Sequence, residues 1–349
     1  MAGKIVRAAI VGASSLLGKE LANELNASLT LVWDLKLLDA KLPDEGESVA
    51  QITSAGDEAI LIQTIEPGAF DGMDVVFFAG AALSDDIATT KTHWKEAHAA
   101  GAVVIDAVGA LEGEAGVVVA SPWVESAEGG SETAKVIVPA HPAAVILSLV
   151  MTRLRAKWSA VRAAATVMEP ASQQGSAGLD ELHKQTVALL SFQPVLKDVY
   201  DAQVAFNLEA SLGAAAKVNL AAIAARIRRD VRAVAGEKSS SGLALQLLQA
   251  PVFNGYTASV FVETEETISR VDVEDALRGG IVSVEAEEPG PSNLTATEQG
   301  QILVGVREER DGVAGFWLWV AADNLKLSAQ NAVACAVQCA GLESRSRVQ

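Results

Sequence analysis

The chain opens on a short, β-branched apolar run, residues 4–11 (KIVRAAIV), which ends on Gly12 and gives way to a stripe of Leu17, Leu21 and Leu25. A buried strand that turns on glycine into an amphipathic helix is the start of a βαβ unit. The connection, Gly12-Ala13-Ser14-Ser15-Leu16-Leu17-Gly18, has the place and nearly the spacing of a G-x-x-G-x-x-G phosphate loop. Gly12 permits the tight turn and Gly18 close packing of helix on strand. The helix N-terminus offers N–H groups and a partial positive charge to a pyrophosphate. Ser15 stands where the middle glycine would be. Its Cβ crowds a phosphate, while its hydroxyl can donate to one. A strand-to-helix turn uses glycine without any ligand too, so both readings stay open.

The next hundred residues alternate in the same way. A second strand runs through Thr30-Leu31-Val32 or Leu35–Leu38 and closes on Asp39. A third is Asp74–Ala79, capped by Gly80; residues 85–100 are helical, and 101–106 form a fourth strand. Strand–helix alternation predicts a doubly wound, Rossmann-type parallel sheet. Asp39 lies where an acid grips the adenine ribose 2′-OH of a dinucleotide and repels a 2′-phosphate. Lys41 is the only cation nearby, so the cofactor expected is NAD rather than NADP; an acidic cap on a turn is the alternative. The candidate cofactor contacts are Gly12, Ser14, Ser15, Gly18, Asp39 and Gly80.

A Gly-, Glu- and Ser-rich stretch at 125–134 precedes Val136-Ile137-Val138-Pro139, and the domain boundary is placed there. Beyond it the pattern predicts helices at 143–157, 178–190 and 218–235. Strands are expected at 161–168, twice within 242–264, and at 301–307 and 315–321, with an apolar helix at 327–342. Long strands with helices to one side suggest an α+β domain. The expected division is 1–132 with 327–349 as the dinucleotide-binding domain, and 133–326 as the second.

The length of 349 residues suits two cores. With 44 acidic against 27 basic residues, the net charge of −17 repels a phosphate backbone, so nucleic acid is not an expected partner. Arg226, Arg228, Arg229 and Arg232 read as the solvated face of a helix. Cys335 and Cys339 are too few for a disulfide framework or a zinc site, so no metal is expected. Their apolar setting reads as inert core thiols. His93, His98 and His183 fall on helices among charged residues, which points to solvent exposure. No run reaches 18 apolar residues, and the N-terminal apolar run is too short for a signal peptide; the expected location is the cytoplasm, with no membrane partner.

Several segments together resemble the aspartate-semialdehyde dehydrogenase family. The phosphate loop, Phe77-Phe78-Ala79-Gly80 and Val104-Ile105-Asp106 match its first domain. Gly178-Leu179-Asp180-Glu181-Leu182 with Gln185-Thr186 resembles G-[IL]-x-E-L-x-x-Q-T, and Gln203–Asn207 resembles Q-[IV]-A-F-N. Pro251–Gly255 resembles P-V-x-x-G, and Trp319–Leu325 resembles W-x-V-x-D-N-L. The resemblance implies a Rossmann domain completed by the C-terminal helix, and a second domain of the semialdehyde dehydrogenase type that carries catalysis and homodimerisation. It implies a chemistry too: a cysteine thiolate attacks an aldehyde, hydride passes to nicotinamide, and phosphate resolves the acyl-enzyme.

The departures fall on the catalytic positions that the resemblance implies. Val138-Pro139-Ala140-His141-Pro142 stands for N-P-N-C-[ST], which puts His141 at the nucleophile. Glu169 replaces the active-site Gln. Gln249–Tyr256 supplies neither the substrate-binding Arg nor the acid–base His, with Tyr256 at the latter's place. Glu112 aligns with the phosphate-binding Arg, and 218–226 has no E-x-K element. Two functions are therefore expected. One is a paralogue that keeps the scaffold, with or without nucleotide affinity, and lacks dehydrogenase activity. The other is an enzyme of altered chemistry on a small acyl or aldehyde substrate, with His141, Glu169 and Tyr256 converging in the same cleft as their family counterparts. In the second, Glu169 beside His141 would raise the imidazole pKa and suit acid–base work.

Overall fold

The computed structural model describes residues 5–41, 52–53, 59–124, 134–159, 161–265, 268–309 and 315–341. Most of the Gly-, Glu- and Ser-rich stretch and the outermost ends of the expected first domain lie outside the described residues. The chain divides into two compact units. The first comprises Met1–Pro122, Gly129–Pro139 and Ser328–Gln349; the second comprises Trp123–Glu128 and Ala140–Leu327.

The first unit holds β1 (Ile5–Val11), α1 (Leu16–Asn26), β2 (Val32–Asp39), the short strands β3 (Ile52–Thr53), β4 (Ala59–Ile60) and β5 (Gln63–Thr64), and β6 (Val75–Phe78). After these come α2 (Ser84–Ala99), β7 (Val103–Asp106), β8 (Val117–Ala120) and β9 (Val136–Pro139). Seven strands form a wholly parallel sheet in the order β5-β2-β1-β6-β7-β9-β8. Helices cover both faces of such a sheet, which is why β6, β7 and β9 are buried at every position. Val11, Leu38, Phe70, Phe78, Val104 and Val138 share one core cluster. The last helix, α8 (Asn324–Cys339), joins this unit from Ser328 onward, and Cys335 Sγ contacts Ala120 O at 3.6 Å.

The second unit holds α3 (Pro142–Lys157), β10 (Val161–Glu169), a 3-10 turn (Ala171–Gln174), α4 (Gly175–Leu190), α5 (Leu220–Ser240), β11 (Leu243–Gln249) and β12 (Tyr256–Thr264). It continues through α6 (Arg270–Leu277), β13 (Val282–Val284), the single turn α7 (Asn293–Ala296), β14 (Ile302–Glu308) and β15 (Gly315–Ala322). The mixed sheet runs β11-β10-β12-β15-β14-β13. Helices α3, α5 and α6 pack on one face. The other face presents Phe261, Trp317 and Trp319; the Phe261 and Trp317 rings are 5.0 Å apart between centroids.

The expected boundary at 132/133 falls short of the division seen between the two units. Val136–Pro139 pairs in parallel with both β7 and β8, so it is an inner strand of the first sheet and the division falls after Pro139. Adjacency in sequence to α3 gave no sign of that pairing. Strands β8 and β13 and helix α6 were not anticipated; each is short, between three and eight residues.

Candidate functional site

In the first unit the ends of β1, β2 and β6 open on a cavity of about 390 Å³, whose lining includes Gly12, Ser14, Ser15, Asp39, Asp86 and Thr90. Gly12 has φ +83°, and a Cβ there would lie 2.1 Å from the Ala79 carbonyl oxygen. A Cβ on Gly18 would lie 2.1 Å from Gly12 O, so both glycines hold the loop tight against the strands. Ser15 differs from expectation. Its hydroxyl donates to Gly12 O (2.7 Å) and accepts the Gly18 N–H (2.9 Å), which makes it the N-cap of α1 and leaves its proton committed within the loop. Gly80 makes room for Asp86: a Cβ there would meet that carboxyl at 2.4 Å.

Asp39 is 5% exposed, and its Oδ1 accepts the Ser14 N–H at 3.4 Å. Its Oδ2 has no hydrogen-bond partner among the described residues. Burial raises its pKa above the ordinary carboxylate value, against hydrogen bonds from Ser14 and Ala13. A buried acceptor without a donor, on the wall of a cavity beside a glycine loop, fits a ligand hydroxyl. These residues fit the ribose and pyrophosphate of a dinucleotide.

In the second unit a buried polar cluster gathers His141, Glu169 and Tyr256, the three residues anticipated together. They are 4%, 0% and 1% exposed. His141 caps α3: its Nδ1 accepts the Ala143 N–H at 3.2 Å, and its own backbone N–H donates to Asp230 Oδ2 at 2.8 Å. With Nδ1 an acceptor, the neutral ring carries its proton on Nε2, which faces Tyr256 Oη at 3.5 Å. Burial first, and the Arg226 charge second, hold the imidazole pKa well below its ordinary value. Burial pushes Glu169 up to about 8, against a 2.5 Å hydrogen bond from Gln174 Nε2 to Oε1. Burial, reinforced by Glu169, also keeps the Tyr256 hydroxyl protonated.

The expected Glu169–His141 electrostatics are therefore reversed. Burial disfavours the charged form of the Glu169 carboxyl, and the imidazole is shifted down by burial and Arg226 rather than up by Glu169. Arg226 is corrected as well. Arg228, Arg229 and Arg232 are exposed or partly so, but Arg226 is half-buried, with its Nε 3.7 Å from Asp230 Oδ2. Gln249 is fully buried, and its Nε2 donates to Glu169 O and Ala250 O. Glu112 belongs to the first unit, beyond the turn where the Asp106 carboxylate accepts the Val108, Gly109 and Leu111 N–H groups.

Tyr200, Gln174 and Asp230 complete the cluster and were not anticipated. Tyr200 is fully buried, and its hydroxyl has no hydrogen-bond partner among the described residues. Glu181 fixes it by accepting the Val199 and Tyr200 N–H groups. One signal was available: the chain has two tyrosines, and both are here. The resembling motifs elsewhere prove architectural. Gln185 donates to Leu196 O and Ala202 O and accepts the Val204 and Ala205 N–H groups; Asn324 Oδ1 accepts from Ser172 and Gly255.

Cys335 and Cys339 are buried thiols, and burial, with Cys339 adding to it, pushes the Cys335 thiol far up. His98 and His183 are exposed, whereas His93 is half-buried and lies tilted against Phe70, 6.4 Å between centroids. Among the described residues no cluster of His, Cys, Asp or Glu is arranged to hold a metal, and no helix is long and apolar enough to cross a membrane.

Two family descriptions match the chain: "Semialdehyde dehydrogenase, NAD binding domain" over residues 7–190, and "Semialdehyde dehydrogenase, dimerisation domain" over 151–327. A USG-1 protein homolog of Pseudomonas aeruginosa is 31% identical over 334 residues, 93% of this chain and 95% of that protein. Aspartate-semialdehyde dehydrogenase of Bacillus subtilis is 23% identical over 346 residues, 95% of this chain and 96% of that one. Among solved structures, a probable aspartate-semialdehyde dehydrogenase from Pseudomonas aeruginosa superposes with a TM-score of 0.80 at 28% identity, covering 95% of this chain and 97% of that chain. With its glycine-loop Rossmann sheet and its mixed second sheet each matched by a family description, the chain belongs to the semialdehyde dehydrogenase family.

Proposed function

We propose that this protein is a family member that binds a nicotinamide dinucleotide, NAD in preference to NADP, and lacks the family's thiol-dependent dehydrogenase activity. The observation that carries this reading is the state of His141, which stands where the resemblance puts the nucleophilic cysteine. One ring nitrogen accepts a backbone N–H and the other, protonated, faces Tyr256, so no imidazole lone pair is free to attack a carbonyl. Gln249, at the place of a substrate-binding arginine, is a neutral amide whose donor is already spent. Gly12, Ser14, Gly18 and Asp39 would hold the dinucleotide, which when bound supplies a hydride acceptor or donor.

The second unit serves self-association in this reading, through the sheet face that carries Trp317 and Trp319. Two buried thiols suit a reducing, cytoplasmic setting. The test is a progress curve with aspartate semialdehyde, phosphate and NAD or NADP, followed by NAD(P)H absorbance. No turnover is expected above a buffer control, and a readily measured rate would refute the proposal.

A second reading rests on Glu169. A carboxylic acid with a pKa near 8, beside two tyrosines, has the protonation state of a general acid. Under this reading a small acyl or aldehyde compound is consumed without cysteine chemistry, and Glu169→Gln abolishes that turnover.

A further inference from the structure

The cavity of the first unit has more negative charge than a ribose site needs. Asp85 and Asp86 line it from α2, while Asp39 lines it from the end of β2. Asp86 is held in place. Its Oδ2 accepts the Ala81 N–H at 2.8 Å, and its carboxyl packs where Gly80 has no side chain. It therefore cannot swing out of the cavity to relieve a neighbouring charge without breaking that bond. Lys41 is the one cation among the described lining residues, and it is exposed.

We propose that Asp86 is a second specificity-determining residue, acting with Asp39, so that the cavity admits the unphosphorylated ribose of NAD and rejects the 2′-phosphate of NADP. This rests on the dinucleotide reading of the same cavity. Asp39 offers its bare Oδ2 to a ribose hydroxyl. Asp86 offers no such grip and acts by repulsion: a phosphate dianion entering beside Asp39 meets two further carboxyls on α2, one of them immobile. The electrostatic coupling is visible without ligand, since Asp86 is held above the ordinary carboxylate pKa by burial first, and then by the charges of Asp85 and Asp39. Asp39 thus governs affinity for the ribose, whereas Asp86 acts chiefly on discrimination, since a 2′-phosphate adds charge beside it.

The experiment is calorimetric titration of NAD+ and NADP+ into the full chain and into Asp86→Asn and Asp39→Asn. Asn at 86 keeps an acceptor for the Ala81 N–H and removes the charge. Asp86→Asn should tighten NADP+ binding about tenfold more than it changes NAD+ binding; Asp39→Asn should weaken NAD+. Asp86→Ser gives the same comparison if the Asn variant does not fold. An unchanged NAD+/NADP+ ratio in the Asp86 variant, with NAD+ still bound by the wild type, would overturn the role of Asp86 and spare the dinucleotide reading. A wild type that binds neither NAD+ nor NADP+ would overturn both.

Discussion

At the scale of the residue, Glu169 makes the sharpest measurable statement. Its carboxyl has a pKa of about 8 in the fold because burial penalises the charged form. In the unfolded chain it titrates at its ordinary value of 4.5. A raised carboxylate pKa means that the folded state binds the extra proton, so stability is intact below the unfolded pKa and is lost as pH rises towards 8. Glu169→Gln keeps a neutral acceptor for Gln174 and removes the ionisable group. Its advantage over wild type in urea unfolding should be small at pH 5 and wider by about 4 kcal/mol at pH 8. His141 works in the opposite direction, since a depressed imidazole pKa removes stability as pH falls below its ordinary value, and it is common to both proteins. A stability difference that stays flat with pH would mean that Glu169 is ionised in the fold. None of this was legible in the sequence, where Glu169 and His141 read as a charge pair. Burial decides which of them keeps its proton, and Asp230 reaches His141 from 89 residues away.

Elements were more legible, for a physical reason. The inner strands β6, β7 and β9 are buried on both faces and read as apolar runs, and the glycines of the first loop mark a turn that tolerates no Cβ. What failed was pairing. Val136–Pro139 has the composition of any buried strand, and only its two parallel partners assign it to the first sheet. The motifs around Gln185 carried the resemblance because they fix the loop after α4, where one amide serves two N–H groups and two carbonyls. Gln185→Ala leaves those groups buried without partners. It should cost roughly 3–5 kcal/mol in chemical denaturation, with new proteolytic cleavage between residues 191 and 219. Wild-type stability and an unchanged cleavage pattern would show that the loop is held by packing alone.

For the whole molecule, the outer face of the second sheet sets the expectation. Trp317 and Trp319 are 43% and 40% exposed, on a strand whose other residues are buried. Trp319 lies opposite Ser259 on β12 and Gly305 on β14, with Pro291 close over the glycine. A monomer gains nothing by presenting large aromatics in the middle of a sheet, whereas a two-fold dimer buries each against its copy. A stable interface of this kind buries about 800 Å² per partner, and truncation or charge at a central aromatic removes much of its free energy. Trp319→Glu places two carboxylates near the same axis, because every change on a two-fold interface occurs twice. The wild type should therefore sediment as a dimer at micromolar concentration and Trp319→Glu as a folded monomer with an unchanged far-UV spectrum. A monomeric wild type would remove the case for this face, and a Trp319→Glu variant that stays dimeric would place the interface elsewhere on the molecule.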